Sequence, residues 1–372
     1  MRTIALRTPS AKYDVVIGVG VLRSLAVGII KLAGEKPARI FVITSADIWA
    51  LWSKAFLASF VKARVEVVTL FIPSGEASKR MRTVERLTEE LADAGADRDS
   101  LLIAFGGGVV GDVTGFVAAI YMRGVRYVQV PTTLLAQVDS SIGGKTGVNL
   151  AHGKNLVGSF YHPLGVFADI DLLATLTPRE LRAGLQESVK AGVIRDARLF
   201  AYLEKNVSAI LSGDAKALEY VVAASVKMKA DVVNRDEKES GLRMILNYGH
   251  TIGHAIEAVT GYKTLLHGEA IAWGMIAALH IALHRELVTK KESARITQLI
   301  LRYGPPPAFH KHPMQVMALT AGDKKNRGGV RKFILPTGIG STQTVSDVTK
   351  SEMMRGIAAM YSVMKDRAGN KK

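Results

Sequence analysis

The chain has 372 residues, enough for two domains of ordinary size, with 48% apolar and 22% charged side chains. That balance supports sizeable cores and excludes a wholly disordered or collagen-like chain. There is no cysteine, so disulfides, thiolate nucleophiles, iron–sulfur clusters and cysteine-bound zinc are excluded, and any metal must be held by His, Asp or Glu. Lys and Arg number 49 against 33 Asp and Glu, a formal charge of +16 that favours anionic partners. The basic residues are dispersed rather than gathered into the stripe of a nucleic-acid binder.

The start, Met1 to Arg7, lacks the apolar run and small-residue cleavage site of a secretory signal. Strands are expected at Arg39–Ile43, Val65–Leu70, Leu101–Phe105 and Tyr127–Val130, with helices running through Phe60, over Met81–Ala94 and over Val113–Tyr121. Strands alternating with helices of that length predict a parallel sheet covered on its faces. After residue 175 the pattern turns helical: 179–204, 215–233, 242–259, 269–286 and 291–303, with one later strand at Arg331–Leu335. Thr177-Pro178-Arg179-Glu180 has the residues of a helix start. The longest apolar stretch, Ala270–Leu283, is 14 residues and carries His280. A spanning helix needs about 20, so this reads as a buried core helix, and the chain as a soluble cytoplasmic protein.

Gly106-Gly107-Gly108-Val109-Val110-Gly111-Asp112 follows a strand and opens a helix. Glycines there let the backbone approach a phosphate that the helix N-terminus stabilises. The spelling departs from GxGxxG, and a tight turn needing positive φ explains it equally. Gly143-Gly144-Lys145-Thr146 resembles the end of a P-loop, but Asp139 stands where that loop has its first glycine. A lysine offered to an anionic substrate group and a solvated loop lysine both remain open.

In Asn247-Tyr248-Gly249-His250-Thr251-Ile252-Gly253-His254-Ala255-Ile256-Glu257, the residues His250, His254 and Glu257 share one helix face, which Arg243 and Asn247 extend backwards. It is either a functional face or solvated surface. Gly249 and Gly253 interrupt the helix at about 1 kcal/mol each, which asks for a functional or close-packing reason. His267 precedes the most apolar helix, as a metal ligand or a cap. Glu187 and Lys190 lie one turn apart, the usual spacing of a surface ion pair. Glu187, His250 and His267 can nonetheless supply a His2Glu set with an open position, as catalytic zinc requires.

The segments GGGVVGDVTGFVAAIYMRG, PTTLLAQVDSSIGGKTGVNL, HGKNLVGSF, NYGHTIGHAIE and LHGEAIAWGM occur in order and closely resemble the 3-dehydroquinate synthases within the sugar-phosphate cyclase superfamily. The resemblance implies an α/β Rossmann-like N-terminal domain with a parallel sheet (1–175) that binds NAD. A mainly helical C-terminal domain (176–372) would bind metal and substrate, with the active site between the two. It implies conversion of 3-deoxy-D-arabino-heptulosonate 7-phosphate to 3-dehydroquinate and phosphate, with NAD recycled in each turnover. A divalent metal, Zn2+ or Co2+, would assist.

By the same resemblance Glu187, His250 and His267 are the metal ligands, and His254 relays the proton of the oxidised hydroxyl. Arg123, Asp139, Lys145, Asn155, Lys190, Lys229, Arg243 and Asn247 are substrate contacts, with Lys324 or Lys325 a further cation. NAD is met by Glu76, Lys79, Gly106, Gly107, Gly108, Asp112, Thr132, Thr133, Lys145 and Lys154. Two departures stand out. Ser45 replaces the usual Asp or Asn after the first strand, with Asp47 nearby, and Gln186-Glu187-Ser188-Val189-Lys190 is a looser spelling of the metal helix. A homodimer without nucleic-acid or membrane partners is implied. The competing readings are a sister cyclase making a valiolone or deoxy-inosose, a metal-dependent polyol dehydrogenase, and, from another class, a basic nucleic-acid-binding protein.

Overall fold

The computed structural model describes residues 1–34, 37, 39–304, 306–320 and 332–369, with side chains to 366; Lys324 and Lys325 lie outside the described residues. The chain divides into two compact units, Met1–Thr177 with Gly213–Lys238, and Pro178–Ser212 with Glu239–Lys372.

Among the described residues the first unit has nine strands. In chain order they are β1 (Arg2–Arg7), β2 (Lys12–Gly18), β3 (Ile40–Thr44), β4 (Val67–Phe71), β5 (Leu101–Gly106), β6 (Arg126–Pro131), β7 (Lys145–Leu150), β8 (Gly153–Phe160) and β9 (Gly165–Asp169). Seven of them form one sheet in the order β1-β2-β9-β6-β5-β3-β4, while β7 and β8 make a separate hairpin. β1 and β2 pair antiparallel and every other neighbour in the large sheet is parallel. The helices α1 (Leu25–Ala33), α2 (Ala46–Lys62), α3 (Met81–Asp93) and α4 (Gly108–Ile120) connect its strands. Alternate side chains of β3 feed opposite faces: Phe41 and Ile43 join the core under α3 and α4, Ile40 and Val42 the core under α1 and α2. A strand covered on both faces is apolar throughout, which is why these strands are legible as short greasy runs.

The chain then enters the second unit through α5 (Pro178–Ile194), α6 (Ala197–Lys205) and α7 (Val207–Leu211). The single helix expected over 179–204 breaks because Asp196 accepts hydrogen bonds from the N–H groups of Arg198 and Leu199, at 3.1 and 3.0 Å, capping α6. α8 (Ala215–Arg235) belongs to the first unit, where it packs on β1 and β2. The boundary expected at 175/176 therefore differs from this division by residues 176–177 and 213–238: an amphipathic stripe predicts a partner without saying which.

The second unit continues through α9 (His250–Val259), α10 (His267–His284), α11 (Lys290–Arg302) and α12 (Pro313–Thr320), the hairpin β10 (Phe333–Gly338) and β11 (Ser341–Val345), and α13 (Lys350–Gly369). Every residue of α10 from Gly268 to Ala282 except His280 is buried, and α5, α9 and α13 pack around it. No helix of the described residues is long and apolar enough to cross a membrane.

One ion pair ties α13 to the end of α10. Arg285 places Nε 2.6 Å from Glu352 Oε1 and Nη2 3.0 Å from Oε2, while the Thr349 N–H donates to Oε2 at 2.8 Å. The Arg285 hydrogen bonds, then that of Thr349, pull the Glu352 carboxyl down to about 2. A depressed carboxylate stabilises the fold above its unfolded value near 4.5 and loses that contribution as pH falls toward about 2. Glu352→Gln is expected to lower unfolding free energy at pH 7 by about 1–3 kcal/mol and to flatten its decline between those pH values. Urea titrations in which both proteins fall in parallel would disprove it.

Candidate active site

The glycine turn follows directly from β5. Gly107 precedes α4 and Gly108 is its first residue. None of Gly106, Gly107 and Gly108 has positive φ, so the conformational reason for these glycines does not apply. Space is tight there: a Cβ on Gly107 would lie 3.1 Å from Thr133 Cγ2, and one on Gly108 3.0 Å from Ser140 Oγ. The Thr132 N–H donates to Gly106 O at 3.0 Å, and Thr133 Oγ1 accepts from the Ala136 N–H at 3.2 Å. The turn leads into a 13-residue helix, so its N-terminal amides form a site suited to a phosphate. It opens at the carboxyl end of β5, beside β3 where the strand order reverses, the usual ligand crevice of such sheets. Beyond β3, Ser74 donates to Asp47 at 2.7 Å. Burial alone would raise Asp47, but hydrogen bonds from Ser45 and Ser74 hold its carboxyl below the usual range.

A buried lysine organises the neighbouring loop. Lys79 Nζ pairs with Asp112 and donates to Asn155 Oδ1 at 2.5 Å. Burial pushes the Asp112 carboxyl up, against the pull of Lys79. Asn149, which was not anticipated, ties the cluster together. Its N–H donates to Lys79 O at 2.8 Å, its Nδ2 donates to Glu76 Oε1 at 2.6 Å, and its Oδ1 accepts from the Asn155 N–H at 2.8 Å. Lys154 Nζ stands 4.0 Å from Glu76, and Asn155 is held at φ 54. Glu76, Lys79, Asp112, Lys154 and Asn155 are therefore brought together.

Asp139 sits on a π-helical turn, Ala136–Ser140, where Lys229 of α8 donates to its side chain at 2.5 Å and its carbonyl at 2.8 Å. Lys145 is exposed at the start of β7. The preceding turn is pinned by Tyr13, whose hydroxyl accepts from the Gly143 N–H at 3.0 Å, and by His162, against which a Cβ on Gly144 would press at 2.9 Å. His162 Nε2 lies 2.9 Å from Glu237 Oε1. Burial alone would raise Glu237, yet hydrogen bonds from Ser10 and His162 hold it below its usual range. Arg123 is exposed at φ 68 after α4, with no ion pair or hydrogen bond among the described residues.

In the second unit, ligand atoms of Glu187, His250 and His267 lie within 4.8 Å of one another. Glu187 and Lys190 are a buried pair, with side chains 1% and 3% exposed, rather than the surface pair their spacing suggests. A buried carboxylate whose partner among the described residues is the Lys190 ammonium, beside two imidazoles, fits a divalent cation. His250 Nδ1 is 3.1 Å from Tyr248 O. A carbonyl only accepts, so Nδ1 carries a proton and the neutral ring would offer Nε2 to a cation. His254 is half-buried, its ring 5.2 Å from that of His250 and 6.0 Å from that of His267. A second group, His254, Glu257 and His267, also meets within 4.8 Å.

Arg243 and Asn247 do not extend the helix of His250. They occupy a separate 3-10 turn, Leu242–Asn247, and Gly249 at φ 78 starts α9 afresh. Arg243 is buried, and Asn247 Nδ2 donates to Glu239 Oε1 at 2.6 Å. Gly253 answers the close-packing reading: its Cβ would lie 2.7 Å from Ile271 Cδ1 and 3.1 Å from Ala270 O of α10.

Models of the 3-dehydroquinate synthase N-terminal and C-terminal regions match residues 69–183 and 184–326. The 3-dehydroquinate synthase of Koribacter versatilis is 47% identical over 357 residues, covering 96% of this chain and 97% of that protein. Among solved structures, ValA, the 2-epi-5-epi-valiolone synthase of Streptomyces hygroscopicus with NAD+ and Zn2+ bound, superposes with a TM-score of 0.87 at 30% identity, covering 97% of this chain and 99% of that one. A 2-deoxy-scyllo-inosose synthase complexed with carbaglucose-6-phosphate, NAD+ and Co2+ gives the same score and identity over 96% and 99%.

The donor cluster depends on how closely α9 approaches α10. A Cβ on Gly274 would lie 2.0 Å from Gly249 O and 2.7 Å from Gly253 N, both backbone atoms that cannot swing aside. Gly274→Ala is expected to cost at least about 1–3 kcal/mol of stability. An unchanged urea midpoint would show that the crossing has slack.

Proposed function

The chain belongs to the 3-dehydroquinate synthase family, and on that premise we propose how its residues carry out the family's reaction. The activity is that of a phosphate-eliminating cyclase, converting 3-deoxy-D-arabino-heptulosonate 7-phosphate to 3-dehydroquinate and phosphate. The observation that carries the assignment of residues is the meeting of Glu187, His250 and His267 within 4.8 Å, with the Glu187 carboxylate buried.

Glu187, His250 and His267 would hold the metal, and two imidazoles with one carboxylate favour zinc. The glycine turn Gly106–Gly108 with Asp112, Thr132, Thr133, Glu76, Lys79, Lys145 and Lys154 would hold NAD. When bound, NAD supplies a reversible hydride acceptor and the metal a Lewis acid for the hydroxyl to be oxidised. His254 takes the proton of that hydroxyl, with His250 5.2 Å away on the same helix face. Lys145, Lys190, Lys229, Arg123 and Arg243 supply cations for a substrate bearing a carboxylate and a phosphate, while Asn155, Asn247 and Asp139 orient its hydroxyls. A cytoplasmic homodimer belongs to the same proposal and rests on family membership.

The test uses purified protein with the heptulosonate phosphate, Zn2+ and NAD well below the substrate concentration. Phosphate and dehydroquinate should appear in equal amounts with no build-up of NADH. Accumulating NADH would indicate a dehydrogenase, and turnover confined to a sugar phosphate lacking the carboxylate would indicate a sister cyclase. Lys145→Ala should lower kcat/KM roughly 10–100-fold, the loss of one charge-assisted hydrogen bond; undiminished turnover would remove Lys145 from the site. His250→Ala should lose its metal by elemental analysis, and full retention would refute that assignment.

A further inference from the structure

Glu257 is a buried acidic residue beside the metal-binding histidines that the reaction just described leaves without a task. It sits on α9 at the spacing that aligns it with His250 and His254, and its side chain is only 3% exposed. His267 lies between two carboxylates: its Nδ1 is 3.5 Å from Glu257 Oε2 and its Nε2 is 3.7 Å from Glu187 Oε1. We propose that Glu257 is a positioning residue for the metal centre, accepting the Nδ1 proton of His267 so that Nε2 presents its lone pair to the cation.

The argument is one of tautomers. An imidazole binds a metal through one nitrogen only while the other keeps its proton, and the acceptor of that proton fixes both the tautomer and the ring plane. His250 already has such an acceptor in Tyr248 O, 3.1 Å from its Nδ1. Glu257 gives His267 the equivalent partner, with an added charge that raises the basicity of the ring. Both histidines are then held from the Nδ1 side. Glu257 and Glu187 come from different helices and address opposite edges of one ring, so His267 is oriented by two elements at once. The alternative is that Glu257 is itself a ligand, through the second group with His254 and His267.

This inference rests on the proposed metal site, and the experiment separates the two. Chelated protein is titrated with Zn2+ against a chromophoric competitor, and with Co2+ while the visible absorption bands are followed. Glu257→Gln and Glu257→Asp should each retain one ion per chain, bind Zn2+ roughly 10–100-fold more weakly, and keep the Co2+ band positions of the parent. His254→Ala should leave Zn2+ affinity unchanged. Unfolding of each metal-free variant at the parent's temperature shows that affinity, not folding, has moved. Parental affinity in both Glu257 variants overturns the proposal. So does a shifted Co2+ spectrum in them, or weaker Zn2+ binding by His254→Ala, either of which would make the second group the ligand set. If His250→Ala binds Zn2+ as tightly as the parent, it is the metal site itself that fails.

Discussion

The second unit turns on backbone contact at glycines. Where α9 crosses α10, a Cβ on Gly274 would fall 2.0 Å from Gly249 O, and where α5 meets α10 a Cβ on Gly268 would fall 1.9 Å from Ala183 O. Helices normally stand 8–10 Å apart because side chains separate them. Here the backbones close in, and short polar side chains on three helices can meet. Glu187, His250, His254, Glu257 and His267 are a cluster only on that condition. The apolar length of α10, buried from Gly268 to Ala282 apart from His280, offsets the cost of gathering charged groups beside it. Buried charges are costly unless paired or metal-bound, and Lys190 pairs with Glu187.

In the first unit glycine plays the same part at a turn. At Gly107 and Gly108 a methyl group would crowd Thr133 and Ser140, and positive φ plays no part. The polar residues around Lys79 form a connected set, in which Asn149 uses its backbone and both ends of its amide. A network in which every member has a partner holds its geometry more firmly than separate pairs would. Asn155 accepts a strained backbone within it.

What the sequence revealed follows from which interactions are local. Doubly buried strands such as Ile40–Thr44 and Leu101–Gly106 announce themselves as apolar runs, and the ligand candidates were readable from residue type and motif. The edge strand β4 was expected, but β1, β2, the buried interior strand β9 and the hairpin β7–β8 were not. β9 is only five residues long and begins and ends in Gly and Asp, and β8 mixes exposed and half-buried positions rich in Gly, Asn and Ser, a pattern shared with loops. The π-helical turn under Asp139 has no sequence signature. Gly249 was legible as a cost to a helix but not as the left-handed residue that ends one segment and starts another. Membership of α8 in the sheet unit depends on contacts with strands some 200 residues away in sequence, which no local pattern encodes. Asn149 and Glu257 were visible as residues yet had no role until their partners were known.

The buried cations bear on what the protein can accept. Lys79, Lys190, Lys229 and Arg243 are between 1% and 7% exposed, and lysine is almost never so buried unless paired. Each lysine has its anion: Asp112 for Lys79, Glu187 for Lys190, Asp139 for Lys229. A ligand that meets these ammonium groups must compete with a carboxylate already there. A neutral polyol offers only hydroxyl acceptors and would leave the desolvated charges no better compensated than before. A phosphate or carboxylate can share the ammonium and return hydrogen bonds of comparable strength. In the proposed site the pre-paired lysines would act as a filter on charge, in keeping with the sugar-phosphate reaction of the family.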